Sequence, residues 1–310
     1  MTTLQKRIIL SLIGIPIVLT SIFFGNGELF AVLLIIIAII SMDEFYTMVR
    51  HDKPIKADGF FDWSKKLVIR IRTNAEENPS ELIGYVTVAL LIFLAKRWEI
   101  GQFQGAIMYI LAISVILVLS AEIFYKVHKP LKNAGTTMFG ILYVGYLLTF
   151  ILGIANYEGI SNIAGTPYVV HKGAILITYL LLIVWSLDSA ALFVGRMIGG
   201  RKLCPDVSPK KTRAGSIGGI AGAIVAAYSF GIWFQIPWHH ALIIGALVGV
   251  VGQLGDLAES ALKREMDADD SGNALPGHGG FLDRIDSLLF AGPIVFAYIR
   301  LLEYWGISVF

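Results

Sequence analysis

Cysteine is almost absent from this sequence, since Cys204 is the single one among 310 residues. One thiol excludes an intramolecular disulfide and any metal site built from several cysteines, and we interpret Cys204 as unreactive. Charge is also scarce, because Asp, Glu, Lys and Arg together make up 15% of the chain and its net charge is +2. Nucleic-acid binding normally requires a strong excess of basic residues, so we expect no nucleic-acid partner.

Long apolar runs take the place of charge, with 56% hydrophobic residues and a mean hydropathy of +0.71. Runs of about 20 apolar residues are long enough to cross a bilayer as helices. We therefore predict an all-α polytopic membrane protein with about nine transmembrane helices. The predicted spans are 7–24, 29–47, 82–95, 105–125, 135–154, 173–195, 216–234, 239–262 and 287–304. The first is interpreted as a retained helix, because no small-residue cleavage site follows its apolar run.

The basic residues indicate an orientation. Most of the 25 lysines and arginines fall in alternate loops, beginning with Lys6 and Arg7 before the first span. Basic loops remain cytoplasmic, which predicts a cytoplasmic N-terminus and a C-terminus on the outer side. We expect a protein of the cell (inner) membrane whose polar clusters, and hence its active site, lie on the cytoplasmic face.

We see no internal repeat and predict a single membrane domain over residues 1–310. Residues 1–154 form N-terminal helices with a cytoplasmic loop at 48–81, and residues 173–304 form catalytic helices and loops. Within that loop, Gly59–Arg72 has an amphipathic helical pattern. This pattern fits either an interfacial helix or a short helix packed on the bundle.

Three polar clusters interrupt the C-terminal apolar runs. The first is Asp188, inside the sixth span, where an acid requires a cation, a partner or water. The alternative is a buried acid that fixes helix packing. The second is the loop Gly199–Gly219, in which Ser208-Pro209 predicts a turn that precedes Lys210, Lys211 and Thr212. Cations and hydroxyls beside a helix N-terminus suit a polyphosphate, although positive-inside charge is the alternative explanation.

The third cluster, Gly255–Ser287, is the most informative. Asp256, Glu259, Ser260 and Lys263 share one face of the eighth span at spacings of three and four. Asp283 and Asp286 do the same on the ninth, although helix capping is the alternative for Asp286. Mg²⁺ takes carboxylate and phosphate oxygens, and Asp256 with Asp283 would provide the carboxylates. Between the two helices, a turn suited to phosphate contains His278, Gly279 and Gly280.

These motifs resemble those of the phosphatidate cytidylyltransferase (CDP-diacylglycerol synthase) family. The resemblance rests on Ser260 with Lys263-Arg264 and Leu275–Asp286, on Ser208–Thr212 with the glycines that follow, on Asp188–Gly195 and on Gly255-Asp256. It is carried by the C-terminal part of the chain, and the N-terminal spans add only topology.

The resemblance implies that CTP and phosphatidate give CDP-diacylglycerol and pyrophosphate for phospholipid synthesis. It implies Mg²⁺, leaves room for a second cation, and is compatible with a homodimer. The implied catalytic residues are Asp256, Lys263, Arg264, His278, Asp283 and Arg284. The implied substrate-binding residues are Asp188, Ser208, Lys210, Lys211, Thr212, Ser260, Gly279 and Gly280. The implied metal ligands are Asp256 and Asp283, with Asp286 in reserve.

Three positions depart from the family pattern. Asp269 stands where a lysine is usual, Ala214 where a glutamate is usual, and Leu192 where an aromatic residue is common. The alternatives are therefore a CTP-dependent membrane lipid kinase, a cytidylyltransferase for another lipid phosphate, and a catalytically silent relative. A transporter would be expected to show paired broken helices in two related halves, whereas charge here is concentrated in the C-terminal half.

Overall fold

The computed structural model of the chain describes residues 3–50, 60–77, 79–97, 100–124, 129–162, 169–272, 279–307 and 309. The helices are α1 (Thr3–Phe23), α2 (Glu28–Val49), α3 (Phe60–Glu77), α4 (Pro79–Arg97), α5 (Ile100–Phe124), α6 (Pro130–Gly140), α7 (Leu147–Ala155), α8 (Lys172–Ile198), α9 (Arg213–Trp233), α10 (Trp238–Glu265) and α11 (Leu282–Tyr304). A π-helical turn, Ile141–Tyr146, joins α6 to α7. The strands are β1 (Ile160–Asn162), β2 (Val169–His171), β3 (Lys202–Cys204) and β4 (Ser208–Thr212).

Every predicted span falls on helix within the described residues. Seven helical segments there are long and apolar enough to cross a membrane: α2, Gly105–Phe124 within α5, Pro130–Ala155, α8, α9, α10 and α11. The helical polytopic membrane architecture is therefore confirmed, while the count of nine spans and their orientation stay predictions. The two short antiparallel strand pairs, β1–β2 and β3–β4, were not predicted.

The chain forms two compact units. The first comprises Met1–Ser21, Glu28–Leu152 and Glu265–Arg284, and the second comprises Ile22–Gly27, Gly153–Arg264 and Ile285–Phe310. Helix α11 thus begins in the first unit and continues in the second. The prediction of one membrane domain stays a prediction.

The first unit packs α2, α4 and α6 around Tyr46, which is fully buried. Gly140 allows α6 to pack closely against Tyr46, because a Cβ atom at Gly140 would lie 3.0 Å from the Tyr46 ring. The region predicted as a loop at 48–81 contains α3, whose Leu67 is buried against Ile40. This packing favours the second reading of the amphipathic segment, a helix held on the bundle.

The second unit brings α8 and α9 into close contact through glycines. A Cβ atom on Gly218 would lie 2.5 Å from the side chain of Val194, and one on Gly215 would lie 2.7 Å from the Ala191 carbonyl oxygen. Small residues at such crossings let helix backbones approach within a bilayer. The close packing places the N-terminus of α9 beside α8, near the polar residues described next.

Candidate active site

The first component of the site is the β3–β4 hairpin, which leads directly into α9. Lys202 pairs with Thr212 and Cys204 with Ser208, so the turn lies at 205–207. The prediction that Ser208-Pro209 starts a turn was therefore wrong, because pairing with β3 extends this segment. Thr212 ends the strand and caps α9, since its Oγ1 accepts a hydrogen bond from the Gly215 amide at 3.1 Å.

Strand geometry separates two adjacent lysines in this hairpin. Side chains alternate along a strand, and Lys210 is exposed to solvent whereas Lys211 is half-buried. The Lys211 Nζ atom lies 2.5 Å from Asp256 Oδ2. The predicted basic loop therefore brings one of its two lysines to a predicted metal ligand.

Three carboxylates form the centre of the site in the second unit. Asp256 and Glu259 come from α10 and Asp286 comes from α11, and ligand oxygens of the three lie within 4.8 Å of one another. We refer to Asp256, Glu259 and Asp286 as the carboxylate cluster. Gly255 makes it possible, because a Cβ atom there would lie 2.5 Å from the Asp286 carbonyl oxygen. Without that close approach, the two helices would hold these acids further apart.

In the contacts that the described residues make at the carboxylate cluster, acids outnumber cations. Lys263 Nζ lies 2.7 Å from Glu259 Oε2, and Asp286 also interacts electrostatically with Asp188 and Lys211. In these contacts two lysines face four acids. Glu259 and Asp286 are buried, with 1% and 8% of their surfaces exposed. Buried carboxylates in excess are costly unless a further cation joins them, and an all-oxygen donor set is the kind that Mg²⁺ prefers.

Glu259 was not among the predicted metal ligands, although we placed it on the same helix face as Asp256. The spacing of three along α10 was the signal. Arg264 lies close to the hairpin, where its Nε donates to the Val207 carbonyl at 3.4 Å, and Ser260 is buried on α10. The structure thus brings together Asp188, Lys211, Asp256, Lys263 and Asp286 from three predicted clusters.

Asp283 has a different environment, in the first unit. Its Oδ2 accepts hydrogen bonds from the Gly280 amide at 2.9 Å and the Ser271 amide at 3.3 Å. The Ser271 hydroxyl accepts in return from the Asp283 amide at 3.3 Å. These contacts satisfy the Gly280 amide just before α11 and the Asp283 amide in its first turn, which is the capping role that we considered for Asp286. Metal binding by Asp283 stays a prediction.

A buried acid that we did not predict, Glu44, holds the same segment. Its Oε1 accepts from the Phe281 amide at 3.1 Å and its Oε2 from the Leu282 amide at 2.9 Å. Gly280 and Gly272 leave room for this carboxylate, since a Cβ atom on either would lie within 2.6 Å of a Glu44 oxygen. Asp43-Glu44 at the end of an apolar run was the available signal, of the same kind as Asp188.

The remaining predicted residues divide into two groups. Gly279 adopts a left-handed φ of 78°, and Arg284 is exposed at the start of α11. His278 lies outside the described residues.

Comparison with known proteins identifies the family of the chain. The Cytidylyltransferase family matches residues 5–302. A phosphatidate cytidylyltransferase of Bacillus subtilis is 39% identical over 71% of this chain and 78% of its own length. Relatives of the same name from Synechocystis and Brucella suis are 30% and 29% identical, over 69% and 96% of this chain and 87% and 94% of theirs. The resemblance drawn from the motifs is confirmed, and the chain belongs to the cytidylyltransferase family.

Proposed function

We propose that the chain transfers the cytidylyl group of CTP to phosphatidate, which yields CDP-diacylglycerol and pyrophosphate for phospholipid synthesis. The observation that carries this proposal is the carboxylate cluster with Lys211 and Lys263, found in a member of a cytidylyltransferase family. Relatives that extend over most of the chain have the name of this activity.

In this reaction a phosphate oxygen of phosphatidate forms a bond to the α-phosphorus of CTP. The bond from that phosphorus to the bridging oxygen breaks, and pyrophosphate leaves with the bonding electrons. A phosphate monoester has a second pKa near 6, so the attacking group is already mostly ionised at neutral pH. The site therefore requires cations and positioning groups more than it requires a strong general base.

We propose that Asp256, Glu259 and Asp286 hold the magnesium ion. Bound there, Mg²⁺ would neutralise and orient phosphate oxygens. Asp283 remains a proposed ligand from the resemblance alone, since its described contacts are with the amides of Gly280 and Ser271 and with the Ser271 hydroxyl. A second cation also remains part of the proposal.

Lys211 and Lys263 are the proposed phosphate-binding cations. Each pairs with an acid of the carboxylate cluster, so each places a cation beside the proposed metal site, where it would bind a substrate phosphate. The other proposed catalytic and substrate-binding residues follow the resemblance: Asp188, Ser208, Lys210, Thr212, Ser260, Arg264, His278, Gly279, Gly280 and Arg284.

A product assay tests the reaction. The purified protein in detergent is incubated with labelled CTP, phosphatidate and magnesium, and we expect CDP-diacylglycerol and pyrophosphate in equal amounts. Release of CDP would contradict the proposal and indicate a lipid kinase. No product from a folded protein would favour another lipid phosphate as substrate or a silent relative, and a series of lipid phosphates separates these two outcomes.

We also propose nine spans in the inner membrane, with the N-terminus and the β3–β4 hairpin cytoplasmic. A homodimer is proposed from the resemblance alone. Asp206→Cys, at an exposed position of the hairpin turn, provides a probe of this orientation in a Cys204→Ala background, since Cys204 is the single native cysteine. A membrane-impermeant maleimide should label the introduced thiol only after the cell membrane is opened. Labelling in intact cells, against denatured protein as the full-labelling control, would contradict a cytoplasmic hairpin.

A further inference from the structure

The first unit contains a polar cavity of about 190 Å³ that the proposed reaction does not use. It lies where the C-terminus of α2 meets the first turns of α4 and α6. Its lining includes Tyr46, Arg50, Ser80, Glu81, Lys129 and Lys132. A cavity of this size holds a small polar group rather than a whole nucleotide.

Two helix N-termini meet at this cavity. Ser80 and Glu81 lie in the first turn of α4, and Lys132 lies in the first turn of α6. The residue that precedes α6, Lys129, makes no side-chain capping bond to the helix. The first amides of a helix are free of intrahelical partners and have a partial positive charge, which favours an anion.

The side chains add to this positive potential. Arg50, Lys129 and Lys132 line the cavity, and Glu81 is the acid among its lining residues. Arg50 Nη1 donates to both carboxylate oxygens of Glu81, so this pair is neutral as a unit. Among the lining residues that the structure describes, Lys129 and Lys132 therefore leave an excess of two positive charges.

The hydroxyl group of Ser80 at this cavity is buried and has no hydrogen-bond partner among the described residues. Only 1% of the Ser80 surface is exposed. A buried polar group without a partner is unusual in a native structure, because its desolvation is not compensated. A ligand in the cavity that accepts a hydrogen bond would complete it.

The backbone conformation of Lys129 also supports a binding site at this cavity. Its φ of 63° and ψ of 56° are left-handed, a conformation that asparagine and glycine adopt more readily than lysine. Strained conformations of this kind concentrate at binding sites. A lysine at this position is explained if its cation serves the cavity.

We propose that this cavity is a phosphate-binding site, separate from the carboxylate cluster and located in the other unit. The group bound is a phosphate monoester anion, which either the headgroup of phosphatidate or a soluble phosphate would supply. The two helix N-termini, Lys129, Lys132 and the Ser80 hydroxyl would contact its oxygens. Phosphate binding at this cavity is independent of which reaction the carboxylate cluster catalyses.

Calorimetric titration of the full-length protein with inorganic phosphate, in a neutral detergent at fixed ionic strength, tests the site. Lys132→Gln, Lys129→Asn and Ser80→Ala are compared with Lys66→Gln, which removes a charge from the exposed side of α3. Each lysine variant should weaken one class of phosphate binding by about tenfold, as the loss of a charge-assisted hydrogen bond predicts. Lys66→Gln should bind as the wild type does.

Titrations of Lys132→Gln and Lys129→Asn that superimpose on the wild type would overturn the proposal, as would an equal loss in Lys66→Gln. Lys129→Asn keeps a residue suited to the left-handed conformation, so it remains informative if Lys132→Gln does not fold. Nanodiscs of phosphatidylcholine, with and without phosphatidate, assign the source. Loss of the phosphate component in discs with phosphatidate supports a lipid headgroup, and its persistence supports a soluble phosphate.

Discussion

Replacing Glu259 with glutamine should reduce magnesium-dependent turnover by about 100-fold or more, since even the partners of metal ligands contribute about 10- to 100-fold. Glu259 is buried, shares the carboxylate cluster with Asp256 and Asp286, and neutralises Lys263. The substitution keeps the shape of the side chain and removes its charge. Asp256 and Asp286 would then remain to hold the metal, and the ion pair between Glu259 and Lys263 would be lost.

Initial rates measured over a range of magnesium concentrations test this result. If Glu259 is a metal ligand, added magnesium should restore part of the activity of Glu259→Gln. Glu303→Gln is the matched control, because it is the same substitution on α11, in a residue that pairs with Arg300 away from the cluster. Full activity of Glu259→Gln at the magnesium concentration that suits the wild type would contradict the assignment.

Replacing Glu44 with alanine should lower the free energy of unfolding by roughly 2–5 kcal/mol, because each buried donor left without a partner costs about 1–3 kcal/mol. The Glu44 carboxylate accepts hydrogen bonds from the amides of Phe281 and Leu282 and lies 3.4 Å from the Ser271 hydroxyl. Alanine would leave these donors unsatisfied and open a cavity among Gly272, Gly280 and Ser271. We expect Glu44→Gln to lose less, since its amide oxygen still accepts.

Unfolding of each variant in the same detergent measures this effect. Glu28→Ala is the control at the other end of α2, where the half-exposed Glu28 pairs with Arg97 at 3.6 Å. An exposed ion pair contributes at most about 1 kcal/mol. If Glu44→Ala is no less stable than Glu28→Ala, the segment at the start of α11 does not depend on this carboxylate.

Hydropathy was sufficient to predict the long apolar helices, because burial in a bilayer requires runs of apolar residues that are visible without any partner. The same reasoning located Asp188, since an acid inside such a run requires an explanation. Asp43 and Glu44 met the same criterion and were overlooked. The hydrogen-bond partners of Glu44 could not be predicted, because they are amides that lie 237 and 238 residues away along the chain.

Within the site, spacing predicted which residues share a helix face but not how the helices approach one another. Asp256 and Glu259 are on one face by their spacing of three, whereas the position of Asp286 beside them depends on the contact at Gly255. The hairpin was misread for a similar reason. Ser-Pro-Lys-Lys has no strong strand pattern, and its pairing with β3 is a contact between segments rather than a property of either one.

The β3–β4 hairpin makes this part of the chain intolerant of insertions and deletions. Thr212 anchors the end of β4 to the start of α9, so the strand cannot slide to absorb a change in length. A shift of one residue would reverse the alternation, turning Lys211 to solvent and Lys210 toward Asp256, and would displace the serine and threonine at the strand ends. Two adjacent and chemically identical lysines therefore have different functional constraints. Homologous sequences should differ in residue type within the hairpin more often than they differ in its length.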